Sequence, residues 1–387
     1  MAPGHFLYVH VPFCEQRCTY CDFYTVTSPG DAARRADEWL RLVVREMALW
    51  RAAGDLDPTL PVETVFLGGG TPSRASAEGV AHLLDAIRAE YQLSPVAEIT
   101  LETQPGTVDR DKARALVAAG VNRLSVGVQT FQPALLAQTG RLHSVDDSRQ
   151  LLEDLRSLRA DRGITYSIDL ISCWPGQTPA LWREDLREAA AWGADHISVY
   201  ELTYHGGTAM RRKLDIGAIT PPGEEDRVQI FEETAAFLSA HGYEHYEISN
   251  FARPGRRSRH NENYWRLGNY VGLGAGAHSF VFPRRYLNEN AAEAYRQSIA
   301  EGRLFRREIP RPDPHLAAVE NFQMGLRLAD GVDLDWFASR YGVDLRETRA
   351  AQFRALVEEG MLVLDGPVAR LTHAGRLRFD SLIEYLL

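Results

Sequence analysis

The 387-residue chain has little cysteine, no long apolar run and no excess of positive charge. Four cysteines in a chain of this length cannot frame a disulfide scaffold. Lys and Arg total 43 against 52 Asp and Glu, a formal net charge of −9, so the chain as a whole repels polyanions and no nucleic acid is expected as a partner. No stretch reaches the roughly 18 consecutive apolar residues that span a bilayer. The opening MAPGHFLYVHVPFCEQRC has neither a basic leader nor a cleavable apolar run. These absences predict a cytoplasmic protein with no integral membrane span. The 31 Gly and 19 Pro are scattered and 45% of residues are hydrophobic, which excludes a disordered or collagenous chain and leaves a globular one.

What is present is an alternation of short β-rich runs and amphipathic helices. Strands are expected at Phe6–Val11, Val62–Leu67, Ile99–Leu101, Arg123–Val128, Tyr166–Ile171 and Ile197–Leu202. Between them, sets such as Leu40, Val43, Met47, Trp50 and Val80, Leu83, Leu84, Ile87 recur at helical spacing. Strand–helix repeats demand right-handed crossovers and a parallel sheet, either an open doubly wound sheet or a partial barrel. Gly68, Gly69 and Gly70 follow the second strand, Glu102 the third and Gln129 the fourth, Asp169 sits within the last residues of the fifth, and Glu201 and Thr203 end the sixth. Their gathering at carboxyl ends is the placement of an active site on a barrel-type α/β domain. Past Tyr204 the alternation weakens. Ile309–Pro314, IPRPDP, reads as a linker. Helical runs at 315–328, 333–340 and 346–359, then Met361–Leu364, an Asp365-Gly366 turn and Val368–Leu371, predict a small winged-helix-like module. The expected division is a core barrel over 1–220, an extension over 221–308 and the C-terminal module over 309–387.

Three of the four cysteines, Cys14, Cys18 and Cys21, fall in one loop with C-x3-C-x2-C spacing. Thiolates are soft ligands suited to zinc or to iron–sulfur clusters. The nearest fourth ligands for zinc, His10 and Asp22, lie inside a strand and beside a cysteine, so neither offers an obvious tetrahedral closure. A [4Fe–4S] cluster on three thiolates leaves one iron open; a zinc knuckle or three buried thiols are the bland alternatives. Cys173 is expected to be an ordinary buried thiol.

With GGGTPS at Gly68–Ser73, the motif resembles the radical S-adenosylmethionine (SAM) superfamily, whose cluster sits on a partial (β/α)6 barrel. A Gly-rich turn exposes backbone N–H and C=O groups that can hold the ends of a zwitterion. The resemblance implies that the open iron chelates SAM and that a reduced cluster breaks its sulfur–carbon bond to give a 5′-deoxyadenosyl radical.

Further motifs, LYVHVPFCEQRCTYCDF, VFLGGGTPS, ITLETQPGTV, NRLSVGVQTF, GRLH, IDLI, PGQT and HISVYELT, resemble the oxygen-independent coproporphyrinogen III oxidase-like family over about 1–280, and the tail resembles its C-terminal domain. By that resemblance Tyr8, Tyr20, Gly69, Gly70, Thr71, Glu102, Gln129, Arg141 and Asp169 match positions that contact one or two SAM molecules. Two features depart from the oxidase: Phe23 stands where it has a further Cys, and the first cluster Cys is already residue 14, without the oxidase's N-terminal extension. HNENYW, His260 to Trp265, matches the HNxxYW motif of the HemW, haem-chaperone, branch. The resemblance then implies haem as a third ligand, with His260 as a candidate axial ligand, Tyr264 and Trp265 on a porphyrin face, and Arg253, Arg256, Arg257 and Arg259 for propionates. The same residues read equally well as core and a solvated turn. Gln104 replaces the family's usual Asn, and Cys173-Trp174 its usual Gly-Leu.

The implied partners are haem or a porphyrin, a haem-acceptor protein and an electron donor such as a flavodoxin or an NADH-linked reductase, with homodimerisation left open. Reductive SAM cleavage is compatible with the fold, while coproporphyrinogen oxidase activity is not expected. The competing readings are an oxidase or dehydrogenase of that fold, a radical methyltransferase or cyclopropanase, and a DNA-binding protein, which the acidic Glu358, Glu359 and Asp365 disfavour.

Overall fold

The six expected strands form in the expected order as β1 (His5–Val11), β2 (Pro61–Gly69), β3 (Gln92–Thr103), β4 (Arg123–Gln129), β5 (Thr165–Ser172) and β6 (His196–Glu201). The computed structural model describes residues 4–57, 59–310 and 313–386. Each strand pairs in parallel with the next. Alternation along the strands sorts the two faces. Leu7, Val9, Val65, Leu67, Ile99, Leu101, Leu124, Val126, Ile168, Leu170 and Ile197 join one buried core with the helices. The intervening positions are largely polar: Tyr8, His10, Thr64, Thr100, Glu102, Arg123, Ser125, Ser167, Asp169, His196 and Ser198. An inner face of this kind suits a ligand-holding barrel better than a packed core.

The connecting helices begin where side chains satisfy their first N–H groups. Ser76 accepts from Gly79, Asp109 from Lys112 and Thr178 from Leu181, and Ser144 forms a capping box with Asp147. The first helix, Ala32–Ala52, carries a carboxylate in its buried face. Glu46, fully buried, accepts hydrogen bonds from Gly274 N at 2.7 Å, Asn288 Nδ2 at 2.8 Å and Tyr295 Oη at 2.8 Å.

Three short strands, β7 (Glu244–His245), β8 (Asn250–Ala252) and β9 (Val271–Leu273), extend the sheet to the order β9-β1-β2-β3-β4-β5-β6-β8-β7. β9 runs parallel to β1, whereas β8 and β7 continue antiparallel beyond β6. The segment 221–308, expected as an extension, therefore supplies both edges of the barrel sheet. Strands of two or three residues are too short to leave a periodic signal.

The helix Arg259–Trp265 crosses the amino ends of β2 and β3. Glu98 caps it, accepting from Arg259 N and His260 N at 3.0 Å each, and Arg259 pairs with Glu63. It plugs the barrel at the end opposite the mouth.

Downstream, helices Pro314–Gly325, Leu334–Tyr341, Leu345–Thr348 and Ala350–Glu358 pack with an antiparallel sheet of Val332–Asp333, Val368–Leu371 and Leu362–Asp365. Phe322, Phe337, Phe353, Leu371 and Phe379 belong to its separate core. The single helix expected over 346–359 is broken at Arg349, whose φ of −128° leaves the helical region. Arg311 and Pro312 of the expected linker, and residues 1–3 of the opening segment, lie outside the described residues. Among the described residues no helix is long and apolar enough to cross a membrane.

Candidate metal centre and ligand cavity

The carboxyl ends of the strands open into a cavity of about 380 Å³ lined by Cys14, Cys18, Cys21, Tyr20, Gly69, Gly70, Thr71, Glu102, Gln129, Arg141 and Asp169. Eleven residues expected from the sequence thus share one space. Tyr8 stands behind it, its hydroxyl hydrogen-bonded to His10 Nδ1 at 2.9 Å.

The cysteine loop is held from several directions. Ser28 N donates to Cys14 O at 2.8 Å, Thr19 N and Oγ1 donate to Thr139 O and Gln138 O at 2.9 and 2.7 Å, and Gln16 Nε2 donates to Gly140 O at 2.8 Å. The loop that follows β4 therefore fixes the cluster loop. All four cysteines are free thiols. Thr71 Oγ1 donates to Cys14 Sγ at 3.4 Å. Burial raises the Cys14 thiol, and burial with the neighbouring Cys18 and Cys14 pushes Cys21 up to about 11. Ligation to a metal would release the protons of these thiols. Among the described residues no three His, Cys, Asp or Glu side chains converge closely enough for a single metal ion. Three free cysteines on one loop that lines the cavity are the donor set that a [4Fe–4S] cluster with one open iron would need.

The glycine turn leads directly from the cluster loop to the carboxylates. Gly69 has a φ of +109°, and a Cβ there would stand 2.6 Å from the His10 ring. A Cβ on Gly70 would stand 2.6 Å from the Pro12 carbonyl carbon. Space for a ligand is one reason for glycine; packing against His10 and Pro12 is an additional one that the sequence alone did not show.

Glu102 Oε2 accepts the Gly69 N–H at 3.0 Å. Burial, then the neighbouring Asp169 charge, pushes its carboxyl up to about 7. Asp169 is solvated by hydroxyls instead: Ser125, Ser167 and Ser198 donate to it at 2.8, 3.0 and 2.7 Å. Arg141 donates to Gly127 O at 3.0 Å and to Tyr20 Oη at 3.2 Å. Gln129 ends β4 at a register shift with a φ of +70°, a backbone conformation uncommon for a residue with a side chain. That kink turns its amide into the cavity. Trp174, fully buried, packs edge-on against Tyr20 at 5.4 Å, so the Cys173-Trp174 departure supports the cavity wall from behind. Cys173 itself is buried, its thiol pushed up to about 12 by burial.

The HNENYW residues are not gathered on an open porphyrin face. His260 is 1% exposed, with Nδ1 at 2.6 Å from Thr64 Oγ1, Nε2 at 2.8 Å from Tyr264 Oη and the ring stacked on Phe66 at 5.1 Å. Both nitrogens are engaged, so the expected axial ligation would require breaking two hydrogen bonds within a buried layer. Burial, then the Arg123 cation, pushes the imidazole down to about 3, which keeps it neutral. Trp265 faces a different cavity, of about 610 Å³, with Trp336 and Arg340. The arginines expected for propionates also have protein partners. Arg253 stacks on Tyr243 at 4.7 Å, Arg256 faces Asp195 at 3.7 Å, Arg257 pairs with Asp330 at 3.0 Å and Arg259 pairs with Glu63.

Sequence reasoning missed Arg123, Tyr200 and the inward reach of Asn261, all of which line the mouth cavity. Arg123 was visible as a charge inside an apolar strand.

Residues 8–189 match the family described as the radical SAM superfamily, and 313–378 match the HemN C-terminal domain. The chain is 34% identical to the haem chaperone HemW of Bacillus subtilis (strain 168), over 96% of each chain. It belongs to the radical SAM superfamily, in its HemW group. To HemW of Escherichia coli (strain K12) this radical SAM protein is 32% identical, over 98% of its own length and 97% of the relative's. To the mitochondrial radical S-adenosyl methionine domain-containing protein 1 of Bos taurus it is 35% identical, covering 98% and 87%. Its fold matches the coproporphyrinogen III oxidase HemN from Escherichia coli, described as a radical SAM enzyme, with a TM-score of 0.82 at 23% identity, over 99% of this chain and 90% of that one. This chain thereby has the mixed α/β fold of that protein, with a C-terminal domain of the HemN type.

Proposed function

We propose that this chain is a haem chaperone of the HemW kind, a cytoplasmic protein that binds a [4Fe–4S] cluster, SAM and haem and passes haem to an acceptor protein. The observation that carries the cluster and SAM part is the convergence of three free thiols, the glycine turn, Glu102, Arg141 and Asp169 on one cavity. The haem part rests on full-length likeness to proteins named haem chaperones.

In this reading Cys14, Cys18 and Cys21 hold the cluster, which when bound supplies one-electron chemistry to SAM, from a flavodoxin-like or NADH-linked donor. The chain's own residues orient and shield the ligand. Gly69–Thr71 offer backbone groups, Glu102 accepts from an ammonium, Arg141 and Gln129 offer donors, and Asp169 accepts from hydroxyls. The Glu102 and Asp169 carboxylates suit the cationic part of such a ligand and Arg141 its carboxylate. Phe23, 61% exposed at the cavity rim, stands where the oxidase resemblance expects a further Cys. This substitution favours the chaperone over a coproporphyrinogen-processing enzyme.

The test is anaerobic reconstitution of the full chain, followed by haem titration, transfer to an apo-haemoprotein and a coproporphyrinogen assay on one sample. Stoichiometric haem binding with transfer and no protoporphyrinogen is expected. Robust conversion of coproporphyrinogen would overturn the reading in favour of the oxidase.

A further inference from the structure

An imidazole that ligates iron needs a ring nitrogen free of hydrogen bonds and within reach of a ligand. His10, His196 and His260 each engage both ring nitrogens. His5, in the wall of the larger cavity, places Nε2 at 2.7 Å from Asp57 O. Of the twelve histidines, one lines the mouth cavity, and it is His205.

His205 stands in the loop after β6, beside the cysteine loop. Its carbonyl accepts from Thr208 Oγ1 at 2.8 Å and from Thr208 N at 3.3 Å, and Met210 N donates to Thr19 O at 2.8 Å. The backbone under the imidazole is thereby tied to the segment that carries Cys18 and Cys21. His205 Nδ1 lies 3.4 Å from Asp22 Oδ2, both side chains being half-exposed. Among the described residues no hydrogen bond engages Nε2. A metal-ligating imidazole ordinarily turns its second nitrogen to a carboxylate, which orients the ring and raises its basicity. His205 and Asp22 have that arrangement, with the other nitrogen open.

The surroundings suit a flat apolar ligand. Phe23 and Tyr200 line the same cavity as exposed large side chains, and neither ring packs against another aromatic ring among the described residues. Arg17, exposed on the same rim, donates to Cys21 O at 3.3 and 3.1 Å and is ion-paired with no carboxylate among the described residues. It offers a cation for a propionate.

We propose that His205, backed by Asp22, is the axial ligand of haem iron, with the porphyrin seated at the cavity rim against Phe23 and Tyr200. The inference rests on the haem-binding part of the proposed function and gives the haem a place. A rim seat leaves the interior of the cavity to the residues assigned above to SAM. A single protein ligand leaves the second face of the iron open to a ligand from an acceptor, as a handover requires.

Full-length wild type, His205→Ala, Asp22→Asn and Phe23→Ala, each with its cluster reconstituted anaerobically, are titrated with haem, and the ferrous complexes are examined by resonance Raman spectroscopy. Wild type should show an iron–histidine stretch. His205→Ala should lose it and bind haem roughly 10- to 100-fold more weakly, and added imidazole should restore both. Asp22→Asn should keep the stretch at a lower frequency, because the imidazole loses anionic character. Phe23→Ala should weaken binding and leave the frequency unchanged. Iron and sulfide per chain should stay at the wild-type level in all three variants; their loss in His205→Ala would assign the imidazole to the cluster and overturn the proposal. Haem bound by wild type without an iron–histidine stretch, or with one that persists in His205→Ala, removes His205 while the chaperone reading stands. If wild type takes up no haem, both fall together.

Discussion

Glu102 on β3 accepts the backbone N–H of Gly69 on β2 at 3.0 Å, so the carboxylate that faces the ligand also holds the glycine turn beside the cluster loop. The bond opposes the upward push of burial and of Asp169, yet the carboxyl still lies at about 7. The group is half protonated near neutrality and needs a cation to fix its charge.

That position predicts a pH-dependent affinity for SAM. The ammonium requires the carboxylate, so below pH about 7 a proton must leave first and affinity should fall about tenfold per pH unit. Above that pH affinity should level off. Calorimetric titration of the reconstituted chain between pH 5.5 and 8.5, run in buffers of differing ionisation heat, should show proton release at the acid end; Glu102→Gln should bind more weakly and without the pH slope.

Single alanine variants of Cys14, Cys18 and Cys21 should each lose the cluster, measured as iron and sulfide per chain. Cys173→Ala should retain it, since Cys173 is buried away from the cavity lining. Full iron content in Cys18→Ala would remove that residue from the ligand set.

Gly70→Ala should destabilise the chain by about 1–3 kcal/mol, because the new Cβ meets Pro12 backbone that cannot swing aside. Gly69→Ala should cost a similar amount through its positive φ and the His10 ring. His10→Ala added to Gly69→Ala should recover the clash but not the strain. Urea unfolding of the three variants separates the two terms.

His260→Ala should cost stability without altering a haem spectrum. It leaves the Thr64 and Tyr264 hydroxyls facing an empty buried space, a loss of about 2–4 kcal/mol. A changed haem Soret band at unchanged stability would instead return His260 to the haem site.

Acid should destabilise the chain through its neutral histidines. Burial depresses His260 to about 3 and His245 to about 4, against an ordinary value of 6.5. Below pH 6.5 the unfolded chain gains protons that the folded one refuses, so stability should fall progressively from there toward pH 4. His245→Gln should make the urea midpoint less sensitive to pH over this range.

The strand order and the mouth were readable because each rests on a local signal. Six β-rich runs, a C-x3-C-x2-C loop and single polar residues at strand ends are all written in a single sequence. Tyr200 and Asn261 were not readable, because only the three-dimensional fold brings them to the cavity. The edge strands Val271–Leu273 and Asn250–Ala252 were missed because three residues carry no period. His260 was legible only as two readings, because a histidine beside aromatic residues looks alike whether it faces a porphyrin or, as here, Thr64 and Phe66 inside a plug.

The pairing of β1 with β9 has a temporal side. Residues 7–9 complete their outer edge only against 271–273. Glu46 on the first helix finds its hydrogen-bond donors at Gly274, Asn288 and Tyr295. At roughly 5–20 residues per second of synthesis, the amino-terminal strand waits tens of seconds for the segment that seals it. The cysteine loop finds its anchors at 138–140 much earlier, so the step left to the end is the sealing of the outer edge of β1, the strand that leads into that loop.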